Sequence, residues 1–193
     1  MKVNTRKATF EFLSIVVAVV LAMGLTEWRQ DYLNERLAQK SFANIVEEIQ
    51  ENLEELRADS SRIAKDMDFM QNWVRNRVQG NESEGFEANF RFSLLSKAAF
   101  DVAKVNLSLT HLTNEQNIDI AGVYALQDFY SLKASEVFGL MGELQGEVLD
   151  QNSDEFFKVV QKMRYHEGLV FNTMRAYISG CEEFLKRYPQ TNE

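Results

Sequence analysis

Two histidines, one cysteine and a cluster of glutamates are where a search for catalysis or metal binding starts in this 193-residue sequence. His166 precedes Glu167, but the HExxH helix of zinc proteases needs a second histidine at position 170, where Val170 stands. The Glu-x-x-His pair of di-iron bundles needs glutamate at positions 108 and 163, which Ser108 and Met163 occupy. His111 falls near an expected helix end, where an imidazole can meet free carbonyls. Cys181 lies on an apolar helical seam, which points to a buried structural thiol rather than a nucleophile. Glu47, Glu48, Glu51, Glu54 and Glu55 sit on one helix. Oxygen ligands from a single helix cannot surround a calcium ion, so these residues read as a solvated face. The GxSxG elbow, the Walker phosphate loop and GxGxxG are missing. The expectation is a protein that is not an enzyme, with no catalytic, cofactor-binding or metal-ligating residue.

The remaining candidates concern contact between helices. Ser14, Ala18 and Ala22 recur every four residues, and Glu11 falls in the same stripe. Small residues at this spacing let two membrane helices approach closely. Trp28 is a candidate anchor at the headgroup level. Asn52 lies beside an apolar seam, where a buried amide can specify helix pairing.

The elements that must carry these residues are helices. The chain has one proline, Pro189, and nine glycines, so little interrupts helix formation. Apolar residues make up 45%, enough for a sizeable core. A net charge of -8 argues against nucleic acid as a partner. The single cysteine excludes an intramolecular disulfide.

Phe10 to Trp28 is the most apolar stretch, about 28 Å long as a helix against a bilayer core of about 30 Å. Glu11 and Glu27 lie near its ends, where charge is tolerated. A removable signal peptide is the competing reading, with Lys2, Arg6 and Lys7 as its basic region and Ala22-Met23-Gly24 as its cleavage site. Helical patterning that continues through Trp28 to Leu33 favours a retained span. A core helix is a third reading, and it would need cover on all sides. The crowded basic tail places the N-terminus in the cytoplasm. If the source is bacterial, the expected localisation is the bacterial inner membrane, single-pass, with the helical domain in the periplasm. The expected division is a tail over 1–9, a transmembrane helix over 10–28, a bundle over 29–188 and a tail over 189–193.

Beyond the span, Val46, Ile49, Leu53, Leu56, Ser60, Ile63, Met67, Met70 and Val74 alternate at three and four residues. Gly80 to Gly85 reads as a loop. A second helix is expected from about Ala88 to Leu112. Thr113 with Gln116 makes a capping box that opens a third, from about Asn114 to Asp150. A similar signature at Asn152 to Glu155 opens a fourth. That helix carries Phe156, Val160, Met163, Val170, Met174, Tyr177, Cys181, Phe184 and Tyr188 in the same alternation, with Glu167 as its polar gap. The expected fold is all-α: an N-terminal transmembrane helix continuing into a long-helix antiparallel four-helix bundle.

Several segments together resemble an uncharacterised bacterial family of single-span membrane proteins. They are Glu11-Phe-Leu-Ser-Ile-Val-Val-Ala-Val-Val-Leu-Ala22, Glu27-Trp28-Arg29 and Ile45-Val-Glu-Glu-Ile-Gln-Glu-Asn52. Downstream, Ala98 to Ala103 and Val123 to Gln127 look similar too. The resemblance implies an N-terminal transmembrane helix and an extracytoplasmic helical domain, and it implies no activity.

Two functional readings follow. The first is a membrane-anchored interaction or scaffold protein, whose partners are the lipid bilayer and either another protein or a second copy of itself, with no cofactor. The second is an extracytoplasmic ligand-sensing domain acting through a membrane partner. In that reading Tyr124, Phe129, Tyr130, Tyr165 and Phe171 line a pocket between helices.

Overall fold

The computed structural model describes residues 5–81, 85–86, 91–146 and 150–189, without the side chains of 5–9, 11 and 144–146. The described residues are all-α. Helix α1 spans Thr5–Val78, α2 spans Ala98–Val105, a 3-10 helix covers Ser108–His111, α3 spans Asn114–Gly146 and α4 spans Asp154–Arg187.

Helix α1 runs unbroken for 74 residues, about 110 Å, because only Gly24 interrupts its strong helix formers. Its end is well defined. Gly80 takes the left-handed conformation at φ 70°, the Asn81 N–H donates to the Asn76 carbonyl (3.0 Å) and the Gly80 N–H to that of Arg77 (3.2 Å). This is the Schellman arrangement, which satisfies the last carbonyls of a helix.

One helix among the described residues, α1, is long and apolar enough to cross a membrane, and none of its apolar window is buried against the rest of the chain. The fold therefore does not supply the cover that a core helix requires. Burial starts at Ala38 and becomes continuous from Ile45. Seven of the nine expected seam positions, Val46 to Val74, are buried, while Ser60 and Met67 are half-buried. The α4 column behaves alike: Phe156 through Phe184 is buried, and Tyr188 is half-buried at the end.

Helices α1 and α4 are antiparallel. At one end Phe42 packs on Tyr188 (5.2 Å between ring centroids), and at the other Trp73 packs on Phe156 (5.9 Å). Helix α4 also packs along α3, where a Cβ on Gly180 would lie only 2.7 Å from Leu126 Cδ1. The capping box forms as its spacing implies. The Gln116 N–H donates to Thr113 Oγ1 (3.2 Å), and the Thr113 N–H donates to Gln116 Oε1 (3.0 Å). Ser153 caps α4 by accepting from the Phe156 N–H (3.1 Å).

The second helix differs from expectation. Residues 88–90 lie outside the described residues, 91–97 are non-helical, and only two turns of helix follow before Leu107, at φ 59°, ends them. This strap, α2 and the 3-10 helix together fill the fourth corner of the bundle, against α1. Leu94, an apolar residue within the expected helix, is 89% exposed. The reason lies in what holds the strap.

Candidate functional site

The strap is gripped by polar side chains on the flank of the α1 seam. Asn52, only 2% exposed, donates through Nδ2 to the Ser96 carbonyl and accepts from the Ser96 N–H, both at 2.8 Å. Gln127 of α3 donates to the same carbonyl (2.8 Å). Glu48, expected on a solvated face, is instead buried, because it accepts from Ser96 Oγ (2.7 Å), from the Ala99 N–H (2.8 Å) and from the Tyr124 hydroxyl (2.5 Å). A carboxylate thus sits at the N-terminus of α2, which has no side-chain cap of its own. Higher up, Ser93 Oγ donates to Asp59 (2.5 Å), and Arg62 donates to the Arg91 carbonyl (3.0 Å) while pairing with Asp59 (2.6 Å). Asn52 is therefore a buried polar residue whose amide reads the backbone of a non-helical segment, and it also meets the Tyr177 hydroxyl of α4.

These contacts explain why the segment is not helical. Asn52, Glu48 and Gln127 give its backbone and hydroxyl groups partners that replace the helical ladder. The Tyr124 phenol is pushed well above its ordinary range by burial, with the Glu48 carboxylate reinforcing the effect. Phe100 stacks on that ring at 4.3 Å, tying α2 to α3.

No protein-family model, curated protein or solved structure matches this chain. Its functional reading rests on its own residues.

The span candidates lie on an uncovered face. Ser14 Oγ donates to the Phe10 carbonyl (2.9 Å), Thr26 Oγ1 donates to that of Ala22 (2.8 Å), and Ala18 and Ala22 are exposed. Trp28 is 70% exposed at the end of the apolar stretch. The Glu11 side chain lies outside the described residues. The five aromatic residues of the sensing reading do not converge. Tyr124 and Tyr130 are buried, Phe129 and Tyr165 are exposed, and Phe171 lies under Arg175.

His111 is exposed at the end of the 3-10 helix. His166 Nδ1 lies 2.9 Å from Glu136, whose carboxyl is held below its ordinary value by Lys133 and, after that, by this imidazole. Cys181 is fully buried, and burial pushes its thiol up to about 12. Among the described residues no three His, Cys, Asp or Glu side chains gather as metal ligands do.

Beyond the strap and the buried Glu48, two features were not anticipated from the sequence. Glu167 is 0% exposed, and among the described residues neither of its carboxylate oxygens has a hydrogen-bond partner. Burial, and after it Asp66, pushes its carboxyl up to about 8, so it is neutral across most of the physiological range. The second is a cleft of about 830 Å³ beside the lower part of α1, closed on its other sides by the start of α3 and the end of α4. The only sequence signal for either was the polar gap that Glu167 makes in its column.

Proposed function

We propose that this chain is a membrane-anchored helical scaffold: α1 crosses the bilayer at residues 10–28, and the bundle it carries binds another protein. The observation that carries this reading is the continuity of α1, whose bare apolar stretch leads without a break into a buried seam. A single helix then serves as both anchor and core element. The crowded basic residues Lys2, Arg6 and Lys7 favour a cytoplasmic N-terminus and a periplasmic bundle. The exposed Ser14/Ala18/Ala22 face supports close approach of a second helix in lipid.

Alkaline carbonate extraction and cysteine labelling test the anchor. Because Cys181 is fully buried, a thiol placed by Arg57→Cys on the exposed bundle surface reports sidedness. The chain is expected to stay in the membrane pellet, and the new thiol to react with an impermeant reagent from the periplasmic side. Recovery in the aqueous fraction would falsify the anchor. Ala18→Leu with Ala22→Leu is expected to lower the yield of an in-membrane crosslinked complex about ten-fold. An unchanged yield removes the small-residue face from the reading.

A further inference from the structure

The alternation of three and four that fills the bundle does not stop at Val46. It continues back along α1 through Phe42, Gln39, Glu35, Tyr32 and Trp28, then through Leu25, Leu21, Ala18 and Ser14. A strict seven-residue repeat stays on one face only where helices wind around each other. Above Val46 the winding partners are the chain's own elements. Below it Phe42, Gln39 and Glu35 of the same column line the open cleft, and Tyr32 and Trp28 beyond them are exposed.

The cleft has the dimensions of a helix seat. Its α1 wall runs from Glu35 to Glu47, about 18 Å, and starts about 10 Å beyond Trp28. Its floor is apolar at Ala38, Phe42 and Val46, and its α1 rim is acidic at Glu35 and Glu47. The arginine at its far edge, Arg187, is already paired with Asp119 (2.6 Å) and lies 3.7 Å from both Glu115 and Glu183. Among the described residues neither Glu35 nor Glu47 makes an ion pair, and Arg36 and Lys40 of the same stretch are not part of the lining, so the α1 wall presents acidic side chains to the cleft. A second copy inserted in the same direction would bring Glu35 toward Glu35, and like charges at facing positions are unfavourable.

We propose that this cleft seats a helix of a different membrane protein, one that leaves the bilayer alongside α1 and carries lysine or arginine in its first turns outside the lipid. The inference rests on the membrane-anchored reading and specifies the partner's chemistry. The partner helix packs along the exposed column inside the bilayer and fills the cleft beyond it, with its basic residues against Glu35 and Glu47.

The test is site-specific photocrosslinking of the full chain in native membranes, with a photoreactive residue at Gln39 in the cleft, at Ala18 in the span, or at the exposed Ser61 on the bundle. Gln39 and Ala18 are expected to give one shared heavier adduct that Ser61 does not. Mass spectrometry should place the Gln39 crosslink in a basic segment within about three helical turns of a span in another protein. Glu35→Lys with Glu47→Lys should cut the Gln39 adduct about ten-fold, and Glu35→Gln with Glu47→Gln less. Both residues lie on the cleft rim outside the closed core, and unchanged circular dichroism and carbonate extraction will show that fold and anchor persist. An adduct of twice the chain mass, a lipid adduct, no adduct, a crosslink in an acidic segment, or indifference to charge reversal each overturns the proposal. Release of the chain by carbonate would instead overturn the anchor on which it rests.

Discussion

The two sides of α1 are held in opposite ways. Against α4 it presents a dry seam in which large apolar side chains meet at regular intervals and aromatic pairs close both ends. Against the strap it presents amides and carboxylates that grip another segment's backbone. The first kind of contact is non-directional and tolerates exchange between similar shapes. The second is directional and costs heavily when one partner is lost, because the other remains buried and unsatisfied. One helix thus carries a bundle interface and a backbone-recognition site on adjacent faces.

Truncation on the dry side should have the largest effect. Leu56 is fully buried on the seam. Leu56→Ala is expected to destabilise the bundle by about 2–5 kcal/mol in urea unfolding of the whole chain, with all probes moving together. A loss under 1 kcal/mol would mean the seam collapses around the missing atoms.

The next effect has the opposite sign and sits within the same dry half. Glu167 is neutral in the fold because burial raises its carboxyl from an ordinary value of 4.5 to about 8. Below the ordinary value both folded and unfolded chains hold the proton, and the group does not oppose folding. As pH rises toward 8 the unfolded chain releases its proton first, so stability falls through that window and the penalty is constant above it. Glu167→Gln should therefore raise stability by roughly 3 kcal/mol near neutral pH and by little below pH 4.5. Equal gains at both pH values would show that ionisation is not the cause.

The smallest of the three effects belongs to the polar side and should be local. Asn52→Ala removes both hydrogen bonds to Ser96. It is expected to cost about 1–3 kcal/mol and to speed amide exchange at Ser96 and Ala99 well before exchange in α4. Uniform acceleration across the bundle would mean that strap and seam open as one unit, and the contrast between the two sides would lose its energetic meaning.

The same contrast explains what could be read from the residues in order. The seams of α1 and α4, the capping box at Thr113 and the stop at Gly80 rest on spacings within a few residues, and local spacing is visible in a sequence. Phe92, Leu94 and Leu95 of the strap lead into Ala98, Ala99, Val102, Val105 and Leu109, an apolar series that reads as one helix. What overrides that pattern lies far along the chain, since Asn52 and Glu48 stand 44 and 48 residues from Ser96. A polar residue beside an apolar column announces that it is buried without naming its partner. That is why Asn52 could be singled out while the backbone it grips could not. The lower cleft was hidden for a related reason: it is bounded by three segments that only the folded topology brings together.

The absence of a hinge in α1 has a mechanical consequence. From Trp28 to Val78 the helix contains neither glycine nor proline, and it extends for about 75 Å. A rod of that length magnifies angle into displacement. Turning its base by about 10° sweeps the far tip through about 13 Å. Whatever sets the inclination of the first turns is carried to the distal end of the bundle as a swing wider than a helix.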